Sequence, residues 1–147
     1  MPNSSFAYLL SDVGQLLGMP ALAPGDDGVC QLVFDSRHVV TIVNFRARGY
    51  ILLSCAVSSS GITAAQAMLM ASSNFMQAAG GTVACTAPDG RLTLQLGVPQ
   101  ADCQATRLLS AIECLLDQVE IWESNLSRAA PNVDNAGGEL ALNLRTV

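Results

Sequence analysis

Residues 63–79 read Thr-Ala-Ala-Gln-Ala-Met-Leu-Met-Ala-Ser-Ser-Asn-Phe-Met-Gln-Ala-Ala and contain no charged side chain. Thr63 and Gln66 have the spacing of a capping box, and Gly80-Gly81 follows, so the stretch predicts a helix. A helix without a charged face is normally surrounded by protein. Because one small chain cannot easily cover a helix on all sides, we favour contact with a second copy of the chain; a central core helix is the alternative.

Segments with β-strand patterns flank this helix on both sides. Residues 29–35, 39–45 and 50–57 precede it and are joined by short loops, which is typical of antiparallel neighbours. Residues 82–98 follow it and predict a hairpin around the turn sequence Ala-Pro-Asp-Gly. Both alternating sets of side chains in the first three strands are apolar. The sequence therefore predicts a sheet that needs cover on both faces.

Amphipathic helices are predicted near both ends of this region. Residues 5–18 carry apolar side chains at three- and four-residue spacing. Residues 102–127, with Asp102 as the expected N-cap, combine a leucine-rich face with a mainly acidic one. The sequence thus predicts an α+β fold with an antiparallel sheet and the order α-β-β-β-α-β-β-α, in a single domain over residues 1–128.

The last residues, 129–147, are rich in Pro, Asn and Gly, a composition that predicts a flexible C-terminal tail. Within it, Leu140, Leu142 and Leu144 alternate with other residues. Such a segment is either disordered or able to add as a strand to an open sheet edge.

The composition restricts the possible partners. Half of the 147 residues are hydrophobic and 13% are charged, against about 25% charged in typical soluble domains, so apolar surface is left for a partner. The net charge is −5 and the seven basic residues are scattered arginines, which argues against nucleic acid and anionic membranes. No apolar stretch is long enough for membrane insertion, and the first residues lack signal-peptide features, so we expect a cytoplasmic protein.

No pattern of catalytic or metal-binding residues is present. The five cysteines include no CxxC pair, and His38 is the single histidine. Nucleotide, hydrolase and zinc motifs are absent, so we expect neither a metal nor a cofactor, and no enzyme. A thiol enzyme that pairs one cysteine with His38 is an open alternative.

Four features together resemble the Tir-chaperone family, the class I chaperones of type III secretion. They are the amphipathic helix Phe6–Gly18, the strand ending Leu-Val-Phe-Asp at 32–35, the charge-free middle helix, and the acidic last helix with Leu-Leu-Asp-Gln-Val-Glu at 115–120. The resemblance covers residues 5–128.

The resemblance implies a bacterial homodimer that binds the extended N-terminal segment of a secreted effector, keeps it locally unfolded and delivers it to the secretion apparatus. It implies an effector-binding groove between the first helix and the adjoining sheet, with these candidate residues: Phe6, Leu9, Leu10, Val13, Leu17, Leu32 and Phe34. It places the dimer contact on the middle helix, with these candidates: Met68, Met70, Phe75 and Met76.

The sequence also leaves open a different function for the chain and suggests a role for its tail. A small dimeric α+β ligand-binding or sensor module fits the same composition and would require a closed pocket. For the chaperone, we hypothesise that the tail occupies the groove or a sheet edge when no effector is bound.

Overall fold

The computed structural model describes residues 4–76 and 81–128. It contains three helices and five strands in the predicted order, with a short 3₁₀ turn at Arg46–Arg48. Their bounds are α1 Ser4–Leu16, β1 Val29–Phe34, β2 His38–Phe45, β3 Tyr50–Gly61, α2 Ala64–Met76, β4 Val83–Thr86, β5 Arg91–Pro99 and α3 Ala105–Arg128. The predicted α+β class and element order are confirmed, whereas the tail at 129–147 lies outside the described residues.

The strands form one antiparallel sheet in the order β1-β2-β3-β5-β4. The β1-β2-β3 meander is continuous, with Leu32 opposite Val40 and Ile42 opposite Leu53. β5 pairs with β3, and β4 pairs with β5 alone. The sheet edges are therefore β1 and β4, four strand positions apart.

The core lies between the inner face of the sheet and the helices α1 and α3. Alternate side chains of the strands point into it, as period-two geometry requires. Its most deeply buried residues include Leu10 and Val13 from α1, Leu32, Val40, Ile42, Ile51 and Leu53 from the sheet, and Leu108, Ile112, Leu115, Val119 and Trp122 from α3.

The outer face of the sheet is only partly covered within the chain. On β1 and β2, the outward-facing Gln31, Val33 and Val39 are exposed. The reason is the position of α2, which packs against β4 at one edge of the sheet. The outer face at the β1-β2 end is therefore left without the cover that the sequence predicts it needs.

The start of α3 also differs from the prediction. Asp102 has a positive φ of 56° and lies in a turn closed by a bond from Cys103 N–H to the Gln100 carbonyl. Asp tolerates this left-handed conformation, which suits the third position of such a turn. The helix begins at Ala105, and its first turn includes a bond from Leu108 N–H to the Gln104 carbonyl, so Asp102 is not its N-cap.

The chain turns back sharply after α1 and packs against Gly14. Met19 N–H donates to the Gly14 carbonyl, and a Cβ on Gly14 would lie 2.4 Å from the Met19 carbonyl oxygen and 2.8 Å from Leu22 Cβ. Only a glycine permits this approach, which sets the path from α1 to β1. In the described ranges, no helix has the length and apolarity that a membrane crossing needs.

Candidate functional site

One side of α2 exposes large apolar side chains. Phe75 is 89% exposed, Met68 69% and Met76 57%. Met68 and Phe75 are seven residues apart, or two helical turns, so they lie on the same side of the helix. Met70, the remaining residue of the predicted dimer contact, is buried together with Ser73 on the opposite side of the helix. We call Met68, Phe75 and Met76 the α2 face; as a dimer contact it stays a prediction.

The N-terminus of α2 is held by the predicted capping box. Thr63 N–H donates to Gln66 Oε1 at 3.0 Å, and Gln66 N–H donates to Thr63 Oγ1 at 3.2 Å. These reciprocal bonds satisfy two main-chain donors at the helix start. The cap fixes where α2 begins, and so which of its side chains form the α2 face.

The body of α2 is joined to the sheet through Asn74. Its side-chain nitrogen donates to the Ala84 carbonyl at 2.8 Å, and its side-chain oxygen accepts from Ala84 N–H at 2.8 Å. Ala84 is in the middle of β4 and is buried. The helix therefore takes both main-chain groups of Ala84 at this edge strand.

The opposite edge of the sheet is open at two residues of β1. Val29 N–H donates to Asp27 Oδ1 and its carbonyl accepts from Gly25 N–H, so the main-chain groups of Val29 point away from β2. In an antiparallel ladder this orientation repeats at every second residue. The main-chain groups of Gln31 and Val33 therefore also point outward, and no other strand among the described residues pairs with them.

Most predicted groove residues lie inside the core. Phe6, Leu10, Val13 and Leu32 are buried between α1, α3 and the sheet, and Leu9, Leu17 and Phe34 are half-buried. The exposed large apolar side chains of α1 and β1 are instead Tyr8, Leu16 and Val33, and none of them is among the predicted groove residues. Effector contact stays a prediction for all seven candidates.

A polar cluster joins the β1-β2 turn to α3. His38 is buried, and its Nε2 lies 3.1 Å from Glu123 Oε1. The other oxygen of Glu123 accepts from the Arg37 guanidinium. Asp35 and Ser36 turn the chain with positive φ values of 54° and 53°, which places Arg37 and His38 beside the helix. Nothing local in the sequence indicates this pairing.

A cavity of about 660 Å³ lies beside this cluster and extends over the polar outer face of the sheet. Its lining includes His38, Glu123 and Cys55, together with the hydroxyls of Thr41 and Ser54. A second depression, of about 420 Å³, lies on the same sheet nearer β4 and is lined by Tyr50, Leu52, Gly81, Val83, Gln95, Gly97 and Pro99.

The structure brings Cys55 and His38 to the same cavity but does not activate the thiol. Burial, and then the charge of Glu123, raises the pKa of Cys55 to about 11. The thiol points to the Ala56 carbonyl at 3.6 Å. Since the thiolate is the reactive form, this environment disfavours a cysteine nucleophile. Within 4–76 and 81–128, no three His, Cys, Asp or Glu side chains cluster as metal ligands would.

Comparisons with known proteins give a consistent result. The family model described as the Tir chaperone protein (CesT) family matches residues 8–123. No individually curated protein matches the chain.

Three solved structures illustrate the similarity. A chain of the HopA1–SchA chaperone–effector complex is 22% identical, with a TM-score of 0.72, and the match covers 83% of this chain and 95% of that one. A chain of the ExsC–ExsE complex is also 22% identical, with a TM-score of 0.75 and coverage of 84% and 94%. A chain of the ExoT–SpcS complex of Pseudomonas aeruginosa is 16% identical, with a TM-score of 0.62 and coverage of 81% and 97%. Similarity at these identities establishes a shared fold.

Proposed function

The chain belongs to the Tir chaperone protein (CesT) family, and from this premise we propose that it is a type III secretion chaperone. As a homodimer it binds the extended N-terminal segment of a bacterial effector, keeps that segment unfolded and hands it to the secretion apparatus. It works in the cytoplasm by binding alone, without catalysis. A similar chain has been solved in the HopA1–SchA complex, which is named as a chaperone–effector complex, and this supports the role.

The open edge of β1 is the observation that carries the proposal. Gln31 and Val33 each offer an N–H and a carbonyl to a neighbouring strand, and the Val33 side chain is 61% exposed beside Val39. An extended chain that adds to such an edge gains main-chain hydrogen bonds whatever its sequence, while its side-chain contacts determine which sequences bind more tightly. This suits an unfolded effector segment better than a folded partner.

The α2 face supports the homodimer. Met68, Phe75 and Met76 are the large apolar side chains that α2 leaves to solvent, and a contiguous exposed apolar patch marks an interaction site. A twofold dimer buries the same patch on both copies. Because the patch lies at the β4 side of the sheet, self-association leaves the β1 edge free.

The test is co-expression with the N-terminal segment of a type III effector from the same organism, followed by hydrogen exchange. We expect the effector segment to resist protease and the Val33 amide to gain protection. Val33→Pro removes an outward N–H without breaking the β1-β2 ladder, so we expect affinity to fall by about tenfold. Val33→Thr keeps the N–H and the branched side chain and serves as the matched control.

Two results would contradict this assignment. Equal affinity of Val33→Pro and Val33→Thr would show that the β1 edge is not the effector site. If the chain binds no effector segment and is stabilised by a small metabolite, the chaperone role itself is wrong and the sensor module gains support.

A further inference from the structure

The two edges of the sheet are treated differently by the fold. Both main-chain groups of Ala84 on β4 are taken by the side chain of Asn74, each at 2.8 Å. On β1, Gln31 and Val33 keep their outward main-chain groups exposed. A carboxamide that donates and accepts with one residue reproduces what a neighbouring strand would offer at that position.

The contact between Asn74 and Ala84 covers a large part of the β4 edge because β4 is short. The strand has four residues and pairs only with β5. Since Ala84 bonds outward to Asn74, its flanking residues Val83 and Cys85 bond inward to β5. The outward-facing residues of β4 are therefore Ala84 near its centre and Thr86 at its end, and Asn74 takes the central one. An uncovered edge there would be a template for another chain.

We propose that Asn74 is a positioning residue that occupies the β4 edge in place of a sixth strand, so that an extended chain adds only at β1. This inference rests on the proposed effector-binding function. It assigns one strand-binding edge to each protomer and explains why α2, which has few buried side chains, carries an asparagine on its sheet side. The same two bonds hold the α2 face toward solvent.

Substitutions at Asn74 separate its two bonds. Asn74→Leu removes both and leaves the buried Ala84 groups without partners. Asn74→Asp keeps an acceptor for Ala84 N–H but loses the donor to the Ala84 carbonyl. Ser72→Ala changes a half-buried polar residue two positions before Asn74, on a different side of the same helix, and is the matched control.

The first experiment measures amide exchange in the free full-length chain. We expect Ala84 exchange to accelerate by about tenfold in Asn74→Leu, which is ~1.4 kcal/mol, and to stay near the wild-type rate in Asn74→Asp and Ser72→Ala. An unchanged Ala84 rate in Asn74→Leu overturns the inference. If Asn74→Leu does not fold, Asn74→Asp is the deciding variant. Slow exchange of the Ala84 amide in Asn74→Asp would support residue 74 as the acceptor of the Ala84 N–H. Exchange as fast as at exposed amides would overturn the inference.

The second experiment repeats the exchange with the effector segment bound. The wild-type chain should gain protection at Val33 and none at Thr86 in β4, whereas Asn74→Ala should also gain protection along β4. Protection of β4 in the wild type, or none there in a folded Asn74→Ala chain, overturns the edge selection. Because the free-chain experiment needs no effector, failure of effector binding would count against the proposed function alone.

Discussion

Replacing Phe75 tests the α2 face as the homodimer contact. The side chain is 89% exposed in the single chain, so Phe75→Asp removes little from the fold, and surface changes of this kind alter stability by about 0.5 kcal/mol or less. Full burial of a phenylalanine contributes roughly 1.5–3 kcal/mol. A twofold dimer buries two copies, so the loss is roughly 3–6 kcal/mol, or at least a hundredfold in the dimer dissociation constant.

Sedimentation velocity over a range of protein concentrations measures this change directly. We expect the wild-type chain to be dimeric and Phe75→Asp to be monomeric at the same concentration, with unchanged circular dichroism. Tyr8→Asp alters another exposed aromatic residue, on α1, and should remain dimeric. A Phe75→Asp chain that dimerises as tightly as the wild type would refute the assignment of α2 to the interface.

Three further predictions concern stability and regulation. Gly14→Ala should lower the free energy of unfolding in urea by about 1–3 kcal/mol, because its Cβ would overlap the Met19 carbonyl. Gly61→Ala is the control, since there is open space around Gly61. An equal loss of stability in the two variants would contradict the overlap. Burial raises the pKa of Cys55 from 9.0 to about 11, so the protonated thiol stabilises the fold fully below pH 9, and this contribution is lost as the pH rises toward 11. In Cys55→Ala, the free energy of unfolding should therefore fall less steeply with pH between 9 and 11. The same slope in both proteins would show that the loss of stability has another origin. Truncation after Arg128 should tighten effector binding if the tail competes for the β1 edge, and unchanged affinity in a titration would reject that competition.

Local patterns were sufficient to predict the elements of the fold. Alternation over the strands, the turn sequences and the Thr63–Gln66 capping box all depend on residues close in the chain, and the structure contains each of them. The start of α3 differed from the prediction because Asp102 lies in a turn before the helix and not at its N-cap. The apolar content of the strands predicted the buried inner face, but it could not show that α2 lies at the edge and leaves the outer face of β1 open.

The candidate sites were harder to predict, for two physical reasons. An apolar stripe on α1 has the same sequence pattern whether it fills a core or lines a groove, and here Leu10 and Val13 fill the core. The contacts that organise the surfaces join distant residues: His38 meets Glu123 85 positions away, and Asn74 meets Ala84 across the end of α2. Neither pairing has a local signal, so the covered and open edges could be distinguished only in the folded chain.

The positions of the two surfaces constrain how a dimer can hold one effector segment. The β1 edge and the α2 face lie at opposite ends of a sheet in which β1 and β4 are four strand spacings apart, or roughly 19 Å. In a dimer through α2 whose two sheets extend away from each other, the β1 edges lie on the outside, about 40 Å apart by the same spacing. An extended chain covers about 3.3 Å per residue, so a segment that reaches both edges needs at least about a dozen residues between them. Shorter segments can pair with only one protomer, and two of them should then bind each dimer.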